Sequence, residues 1–489
     1  MSNTTTTTGG GAHILVFPYP AQGHMIPLLD LTHQLAVRGR LTITILITPK
    51  NLPILNPLLS RNYPFSSVET LILPFPINHR LIPPGVENVK DLPPTSLRSM
   101  IIAMAELYDP LLHWFNSHPS PPVAIISDLF LGWTSHLASH LGIRRIVFSP
   151  SPAHSIAIID SLWRGLPKIN DKHSHDDPAN NTCLIQFPGI PNSPVFPWSH
   201  LSPIYRTYRE GDPDSEFIRD CIRANVASWG IVFNSFRELD SVYLDYMVKN
   251  RSDDESGYYD RVWAVGPLLP PDNDDGPTER GGSGSIATSD LLSWLDTCPD
   301  HSVVYVCFGS QVVLSNKQME GLAAGLECSG ARFLWCVKEA TEGHVVGEYG
   351  IVPAGFEDRT TGRGMVVRGW VPQVLILRHR SVAGFLTHCG SNSMLESLAA
   401  GVVILAWPMG ADQYSNAKLL VDQMKAGVRV CEGEDTVPDG AELGRVLAES
   451  VSGNRPERVR AMELRKAAAD TVKVGGSSFN DLDRLVRDL

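Results

Sequence analysis

Apolar positions along the chain alternate between strand-like runs and helix-like spacing from residue 13 onward. The apolar run from Ile14 to Phe17 predicts a buried strand, and the spacing from His24 to Val37 predicts a helix. A second strand is predicted from Leu41 to Thr48. Strand, helix and strand in this order form a βαβ unit, whose right-handed crossover favours a parallel sheet.

The same alternation continues to about residue 266. Further strands are predicted near 70–73, 123–127, 145–149, 230–234 and 262–265, and helices at 97–115, 130–141, 216–228 and 238–248. Residues 167–213 are rich in Pro, Asn, Asp and Ser and lack sustained periodicity, which in a compact domain indicates a functional or mobile loop. Residues 1–11 have low complexity and are predicted to be a disordered tail.

A shift in composition at residues 267–289 divides the chain in two. This stretch is full of turn formers and has little to bury, so it predicts an interdomain linker. Beyond it the alternation restarts, with strands at 303–308, 332–337, 365–367, 382–386 and 402–407 and helices at 290–297, 317–330, 392–400, 415–424, 440–451, 456–474 and from 480. The predicted fold class is therefore α/β, with two doubly wound, Rossmann-like domains at 12–266 and 290–470 whose strand ends face one cleft.

Composition and charge narrow the classes of function. The 489 residues suffice for two domains of about 200 residues or more each. A net charge of -11 argues against a nucleic-acid partner. The eight cysteines show no CxxC pair and no zinc spacing, and the sequence has neither a signal peptide nor an apolar run of about 18 residues. We expect a reduced, cytoplasmic protein without a metal site or stable membrane insertion.

One strand-turn-helix unit concentrates polar side chains where a phosphate would fit. The predicted strand 382–386 ends at a turn, and the predicted helix 392–400 stops at Gly401. A helix N-terminus presents free N–H groups and the positive end of the dipole, which together suit a phosphate. His388, Asn392 and Ser393 add side-chain donors at the same point, so that a diphosphate can be held without a P-loop.

Neighbouring positions suit the rest of a sugar nucleotide. Glu396 lies one helical turn further along the same face, where its carboxylate can accept two hydrogen bonds from a ribose diol. Asp412 and Gln413 follow the next strand, at the end where open α/β sheets bind ligands. Trp370 offers a flat ring for a base, with Gln373 nearby in sequence.

The segment from Trp370 to Gln413 resembles the signature box of plant secondary-product glycosyltransferases, which are UDP-dependent enzymes of glycosyltransferase family 1 with the GT-B fold. It matches that box in length and at many fixed offsets. The matching residues are Trp370, Pro372, Gln373, Leu377, His379, Phe385, His388, Cys389, Gly390, Asn392, Ser393, Glu396, Gly401, Pro408, Asp412 and Gln413. The segment from Tyr305 to Ser310 also resembles the family pattern.

The resemblance implies a contact for each part of a UDP-sugar. The implied binding residues are Trp370 at the uracil, Gln373 and Glu396 at the ribose, Ser310, His388, Asn392 and Ser393 at the diphosphate, and Asp412 with Gln413 at the sugar. Val371 and Ser391 are also predicted to be binding residues. Two positions depart from the box. Val403 replaces a usual Pro, which a strand accepts readily, whereas Ser391 replaces a usual Trp beside the sugar, so the identity of the donor sugar is less firmly implied.

Sugar transfer from a diphosphate to a hydroxyl needs a base for the acceptor proton. His24 is the candidate, since it begins the first helix after the first strand, and Asp128 ends the strand 123–127 where it can hold the other ring nitrogen. Both match family positions. The resemblance implies an inverting single displacement in which His24 deprotonates the acceptor, Asp128 holds the imidazolium, and no metal or cofactor takes part besides the UDP-sugar co-substrate.

Each of these residues also has a plainer interpretation when taken alone. A histidine at a helix start is usually a cap or surface residue, and an Asp after a strand is usually an N-cap. Trp370 alone would be core, Glu396 a solvated helical face, and Cys389 a small buried filler. Phe130, Trp133, Phe196 and Trp198 are candidates for an acceptor pocket wall, with ordinary packing as the alternative, and family members use a hydroxyl near Ser149 and Ser151 at the sugar.

The leading hypothesis is a monomeric transferase that moves glucose from UDP-glucose to a hydroxyl of a small hydrophobic plant metabolite such as a flavonoid. Alternatives within the class are UDP-rhamnose, UDP-xylose or UDP-glucuronate as donor and a terpenoid as acceptor. A non-catalytic nucleotide-sugar binder is a third class. An NAD-dependent oxidoreductase would need G-x-G-x-x-G after the first strand and an α/β-hydrolase a G-x-S-x-G elbow, and neither motif occurs. In the family the terminal segment, here 471–489, crosses back onto the first domain.

Overall fold

Two parallel sheets organise the part of the chain that the computed structural model describes, which is residues 11–489 without 77–81, 94–95, 168–181, 253–260, 271–284, 341–344, 346 and 454. The strands in chain order are β1 (His13–Phe17), β2 (Thr42–Ile47), β3 (Ser67–Ile72), β4 (Ala124–Asp128), β5 (Arg144–Ser149), β6 (Leu184–Gln186), β7 (Val195–Pro197), β8 (Gly230–Phe233), β9 (Val262–Ala264), β10 (Val303–Cys307), β11 (Arg332–Val337), β12 (Gly364–Arg368), β13 (Val382–Thr387), β14 (Val403–Ala406) and β15 (Gly427–Arg429). The first sheet has the order β3-β2-β1-β4-β5-β8-β9 and the second the order β12-β11-β10-β13-β14-β15.

Helices cover both faces of each sheet. In chain order they are α1 (Gln22–Arg38), α2 (Asn56–Leu59), α3 (Leu97–Ala105), α4 (Tyr108–Ser117), α5 (Thr134–Leu141), α6 (Ala153–Gly165), α7 (Pro203–Arg206), α8 (Pro213–Val226), α9 (Arg237–Ser252), α10 (Thr288–Asp296), α11 (Asn316–Ser329), α12 (Phe356–Arg359), α13 (Gln373–Arg378), α14 (Ser391–Ala400), α15 (Gln413–Ala417), α16 (Gly440–Ser450), α17 (Pro456–Thr471) and α18 (Ser477–Asp488). A π-helical turn, Lys418–Gln423, continues α15. We call the layers around the first sheet the N-lobe and those around the second the C-lobe.

The strand pattern explains why each sheet is covered on both faces. In β1, Ile14 and Val16 pack into one apolar cluster with α1, while Leu15 and Phe17 pack into another on the opposite face. All five residues of β1 are buried. Successive side chains of a strand point to opposite faces, so a continuous apolar run needs a layer on each side.

The last helix leaves the C-lobe and packs on the N-lobe. Leu482 and Leu485 of α18 belong to the apolar cluster of α1 and β1. The carboxylate of Asp481 accepts a hydrogen bond of 2.9 Å from the backbone N–H of Ala264 in β9, and Ser478 donates one of 2.6 Å to the carbonyl of Gly266. The exposed edge of the first sheet at β9 is thereby covered.

Two predicted helices have different bounds for local reasons. The helix predicted at 97–115 is divided into α3 and α4, because Pro110 lies in the first turn of α4 and lacks the N–H that would continue the preceding helix. The helix predicted from Phe130 starts instead at Thr134. There the carboxylate of Asp128 accepts a hydrogen bond from the N–H of Phe130, which holds the intervening residues in a turn.

Several elements have no counterpart in the prediction. Helix α6 was missed, although most of its residues are buried. The described part of the stretch predicted to lack periodicity contains the antiparallel pair β6 and β7 and the short helix α7. The second sheet also has an additional edge strand, β15, of three residues.

The predicted tail and linker fall largely outside the described residues. Of residues 1–11 only Gly11 is described, and of 267–289 only 267–270 and 285–289. Within the described helices, none combines the length and the apolar composition that crossing a bilayer requires.

Candidate active site

The carboxyl ends of both sheets meet at a single cavity of about 1200 Å³ between the lobes. Among the predicted site residues, those that line it are His24, Ser310, Trp370, Val371, Gln373, His388, Ser391, Asn392, Ser393, Glu396, Asp412 and Gln413. The remaining one, Asp128, is fully buried directly behind His24. The fold therefore brings together residues from positions 24 to 413 of the sequence.

On the N-lobe side, a histidine and a carboxylate form a pair. Nδ1 of His24 in α1 lies 2.8 Å from Oδ2 of Asp128 at the end of β4. The His24 side chain is 19% exposed and that of Asp128 is 0% exposed. Phe130 stacks on the imidazole at 4.9 Å between ring centroids. With Nδ1 engaged, Nε2 is the ring nitrogen that can take a proton from a molecule in the cavity.

Asp128 divides its two carboxylate oxygens between two tasks. One oxygen binds His24, and the other accepts a hydrogen bond of 2.9 Å from the N–H of Phe130. The second contact closes a turn after the strand. It is not the N-cap of the plainer interpretation, because α5 starts only at Thr134, with Trp133 before it. Because the backbone N–H of Phe130 holds the Asp128 carboxylate in place, the carboxylate fixes the ring angle and the tautomer of His24.

On the C-lobe side, helix α14 opens at the cavity. Gly390 precedes it and has no side chain to cap the first N–H groups, and Gly390, Ser391, Asn392 and Ser393 all line the cavity. Free N–H groups and the helix dipole make this end attractive to an anion. The amide of Asn392 also donates a hydrogen bond of 3.1 Å to the carbonyl of Gly23, which sets the helix start beside His24.

His388 is held in a slot between two glycines. A Cβ on Gly309 would lie 2.7 Å from Cε1 of His388, and one on Gly390 would lie 2.7 Å from its Nε2. Gly309 also has a φ of +77°, which side chains rarely adopt. Burial lowers the pKa of His388 to about 4, although Asp412 opposes the shift. The residue is thus a neutral hydrogen-bonding group at the mouth of α14.

A chain of hydrogen bonds joins the residues predicted at the ribose. The Tyr305 hydroxyl in β10 donates to the side-chain oxygen of Gln373 at 3.1 Å, and the Gln373 amide donates to Glu396 at 2.7 Å. The same amide lies 3.3 Å from Oγ of Ser393. Trp370 and Val371 lie between β12 and α13, separated from Gln373 by Pro372, and both line the cavity.

The residues predicted at the sugar form a polar cluster that spans both lobes. Oδ2 of Asp412 accepts a hydrogen bond of 2.6 Å from Ser391 and one of 2.7 Å from Ser151 of the N-lobe. The side-chain oxygen of Gln413 accepts from the N–H groups of Met409 and Gly410, both at 2.9 Å, which leaves its amide to donate. Ser391, the departure from the family box, therefore orients the carboxylate that follows β14.

Some contacts at the cavity were not predicted. The amide of Asn416 donates to Ser391 at 3.2 Å, and Ser155 of α6 donates to Asn416 at 3.0 Å. The Lys338 ammonium, directly after β11, donates to the carbonyls of Ser310 and Lys90. Lys338 could have been predicted at the cavity, because it follows a predicted strand directly. Nothing in the sequence pattern indicated that Ser155 or Asn416 would contact the site.

Of the four aromatic residues considered for an acceptor pocket, Phe130 and Phe196 line the cavity. Trp133 and Trp198 are not among the residues that line it, and both are buried in the N-lobe core. Cys389 is fully buried, and burial raises the pKa of its thiol to about 12, so it is a filler. Among the described residues, no group of three or more His, Cys, Asp or Glu side chains is placed to hold a metal ion.

Known proteins are similar to this sequence over nearly its whole length. A family model described as "UDP-glucoronosyl and UDP-glucosyl transferase" matches residues 285–446. UDP-glycosyltransferase 89B2 of Stevia rebaudiana is 57% identical, with 98% of each chain covered. The flavonol 3-O-glucosyltransferase UGT89B1 of Arabidopsis thaliana is 53% identical, with 97% of this chain and 95% of the relative covered. The chain belongs to the plant UDP-glycosyltransferases.

Solved structures of this family agree with the fold. A crystal structure of Arabidopsis thaliana UGT89C1 complexed with UDP-L-rhamnose matches with a TM-score of 0.79 at 39% identity, and one complexed with quercetin matches with a TM-score of 0.77 at 39% identity. Each match covers 98% of this chain and 99% of the other. The prediction of a GT-B fold with two Rossmann-like domains is confirmed, as is the prediction of a UDP-glycosyltransferase.

Proposed function

We propose that this UDP-glycosyltransferase moves glucose from UDP-glucose to a hydroxyl of a flavonoid, by a single inverting displacement at the cavity between the lobes. The observation that carries the proposal is the His24 and Asp128 pair, which faces the uncapped start of α14 across that cavity. His24 removes the proton from the acceptor hydroxyl as its oxygen attacks the anomeric carbon. Asp128 holds the imidazolium that results.

The C-lobe takes the donor in this proposal. The uracil stacks on Trp370 with Val371 beside it, the ribose binds Gln373 and Glu396, and the sugar binds Asp412 and Gln413. The diphosphate meets the N–H groups of α14 together with Ser310, His388, Asn392 and Ser393. Support comes from the short hydrogen bond between Gln373 and Glu396 and from the neutral His388, because a neutral imidazole donates to phosphate without repelling other donors.

The N-lobe takes the acceptor. The wall near His24 is apolar and aromatic and includes Phe130, Ile156, Trp163 and Phe196. Flat hydroxylated molecules pack well against such a surface, since aromatic side chains bury area and stack. A flavonoid acceptor fits the name of the flavonol 3-O-glucosyltransferase relative and the quercetin complex of UGT89C1.

We propose further that the enzyme acts in the cytoplasm as a monomer. One chain supplies both walls of the cavity, so the proposed reaction needs no second copy. All eight cysteines are free, which suits a reducing compartment. Light scattering of the purified chain would test the monomer, and a mass of two chains would contradict it.

UDP-rhamnose is the second candidate donor. Ser391 in place of the usual Trp changes the sugar end of the cavity, and a structural relative carries UDP-L-rhamnose. Initial rates with UDP-glucose, UDP-rhamnose, UDP-xylose and UDP-glucuronate on one flavonol would separate the donors. Turnover with a non-glucose donor equal to or above that with UDP-glucose would contradict the glucose assignment.

Replacing His24 with Ala tests the proposed mechanism. We expect a fall in kcat of about 10²- to 10⁴-fold, the usual contribution of a positioned general base, with UDP affinity nearly unchanged. His140→Ala is the control, because His140 is exposed, is not among the residues that line the cavity, and has its Nδ1 3.1 Å from the Tyr108 hydroxyl. Loss of UDP binding together with transfer would contradict the role of His24, as would full activity of His24→Ala.

A further inference from the structure

Two cysteines lie side by side on neighbouring strands. Val306 of β10 pairs with Trp335 of β11 in the parallel register, so one residue further along each strand brings Cys307 opposite Cys336. Strands of a sheet lie about 4.8 Å apart, which falls inside the range of about 4.4–6.8 Å that a disulfide allows between Cα atoms. Both cysteines pack in the same apolar cluster, on the same face of the sheet.

The two thiols interact chemically. Hydrogen bonds from Cys336 and from the N–H of Gly309 to the Cys307 sulfur, with the Tyr305 hydroxyl beside it, lower the pKa of that thiol against the effect of burial. The pKa of Cys336 is raised, because its hydrogen is donated to Cys307 and because it is buried. Cys336 can also direct its hydrogen to the carbonyl of Gly369, 3.0 Å from its sulfur. The pair thus combines a nucleophilic thiol with a neighbour that can resolve it.

The isolated buried cysteines contrast with this pair. Burial raises the pKa of Cys221 and of Cys389 to about 12, so neither is a nucleophile at neutral pH. Cys307 and Cys336 are each 9% exposed, and both line the cavity. A small oxidant that enters the cavity can therefore reach them.

The pair lies directly beneath the proposed nucleotide site. Tyr305, which contacts Cys307, donates to Gln373, and Gln373 donates to Glu396. On the other side, Gly369 immediately precedes Trp370. A change at the two sulfurs can therefore reach the ribose residues through Tyr305, and the uracil residue through Gly369.

We propose that Cys307 and Cys336 form an oxidation site, at which a hydroperoxide creates a disulfide and thereby weakens binding of the UDP-sugar. The inference rests on the proposed function, because the donor must occupy the C-lobe side of the cavity. The chemistry needs hydrogen peroxide or another hydroperoxide as oxidant, and a thiol as reductant for the return.

The steps balance as follows. The Cys307 thiolate attacks one oxygen of hydrogen peroxide, the O–O bond breaks, and a sulfenic acid and one water result after proton transfer. The sulfur of Cys336 then attacks the sulfur of Cys307, the S–O bond breaks, and a second water leaves with the Cys336 proton. Two thiols lose two electrons in total, and the peroxide is reduced to two waters.

Closing the disulfide removes groups on which the nucleotide site depends. Cys336 loses its S–H and with it the ability to donate to the Gly369 carbonyl, and the Cys307 sulfur beside Tyr305 gains a bond to the Cys336 sulfur. The backbone before Trp370 and the hydroxyl that holds Gln373 are then free to shift. We expect UDP affinity to fall about tenfold, the size of effect that follows the loss of one or two hydrogen bonds in a site.

The test uses the full-length reduced enzyme, with and without hydrogen peroxide. UDP affinity is measured by calorimetry before oxidation, after oxidation and after dithiothreitol. The expected result is weaker binding that dithiothreitol restores, together with slower oxidation when UDP is already bound. The link is located by mass spectrometry of tryptic peptides, and fragment ions must distinguish Cys307 from Cys298, since both lie between Arg280 and Lys317.

Variants separate this site from other thiols. Cys336→Ala should form no such link and should lose the reversible fall in UDP affinity, each variant being compared with its own untreated sample. Cys328→Ser removes an exposed cysteine and should keep full sensitivity. Absence of the link in oxidised wild type, or a link that leaves UDP affinity unchanged, would overturn the inference.

The same experiment distinguishes a failure of the proposed function. The reduced wild type must bind UDP, and Trp370→Ala must weaken that binding. If the reduced enzyme fails these conditions, the donor site itself is wrong. If it meets them and no link forms, only the oxidation site is wrong.

Discussion

At the residue scale, burial keeps two histidines uncharged for different purposes. His388 lies in the glycine slot at the start of α14, where a neutral ring suits a hydrogen bond to a diphosphate. His154 of α6 is fully buried against Tyr243, and neither of its ring nitrogens has a hydrogen-bond partner among the described residues. Burial lowers the pKa of His154 to about 3, so its cost to stability depends on pH.

The sign of that dependence follows from the two pKa values of His154. In the unfolded chain the imidazole has a pKa of about 6.5, so as the pH falls the unfolded state takes up the proton first. The free energy of unfolding therefore has its full value above about pH 6.5, where His154 is neutral in both states. It falls as the pH drops from about 6.5 toward 3, because the unfolded chain alone gains the proton.

His154→Phe should reduce the acid sensitivity of the fold. Between pH 6.5 and pH 4 the variant should lose about 3 kcal/mol less of its unfolding free energy than the wild type, at about 1.4 kcal/mol per pH unit. Urea denaturation at both pH values measures this difference. His113→Phe, at an exposed position, should behave as wild type, and equal acid dependence of His154→Phe would contradict the assignment.

At the scale of elements, the strand-turn-helix unit around α14 was predictable because its signals are local. An apolar run, a polar turn and a helical period ending in glycine follow one another, and Gly401 does end α14 in the left-handed conformation. Helix α6 was not predictable in the same way. Most of its residues are buried, and the polar residues His154, Ser155 and Asp160 are among them, so the apolar pattern does not mark the face that packs inward.

The C-terminal helix offers a test of how the N-lobe is stabilised. Leu485 of α18 is fully buried in the cluster of α1 and β1, so Leu485→Ala should cost about 2–5 kcal/mol of unfolding free energy through lost burial and a cavity. Val474→Ala is the control, because Val474 is 87% exposed and its truncation should change stability by less than about 0.5 kcal/mol. Equal stabilities of the two variants in urea would contradict the packing of α18.

At the scale of the whole molecule, the contacts between lobes could not be predicted from the sequence. Ser151 meets Asp412, and Asn392 meets the carbonyl of Gly23. Each pair lies more than 250 positions apart in the sequence. Their meeting depends on how one lobe is oriented on the other, which no local period or motif encodes.

Lys338 is a charged residue that also joins the two lobes. Its ammonium donates to the carbonyl of Ser310 in the proposed diphosphate site and, at 3.2 Å, to the carbonyl of Lys90 in the N-lobe. Burial lowers its pKa to about 8, while Asp91 raises it and the charge of Lys90 lowers it further. The charge on Lys338 is therefore present at pH 7 and is lost as the pH rises through about 8.

Substituting Lys338 tests whether the charge positions the donor site. The UDP affinity of the wild type should decline above about pH 8. Lys338→Met should bind UDP about tenfold more weakly at pH 7 and should not show that decline. Lys338→Arg should keep its affinity for UDP at pH 7 and should decline only at higher pH. Calorimetry from pH 7 to pH 9.5 measures all three. An unchanged pH profile in Lys338→Arg would show that another group titrates.

The central claim is that one cavity holds the UDP-sugar against the N-terminus of α14 and places His24 opposite that UDP-sugar. A crystal structure of the full-length enzyme with UDP bound tests it most directly. We expect the diphosphate at the N–H groups that open α14, with His388 in contact, the uracil against Trp370, and His24 across the cavity with its Nδ1 still on Asp128. UDP bound elsewhere, or a His24 ring turned away from the terminal phosphate, would contradict the account.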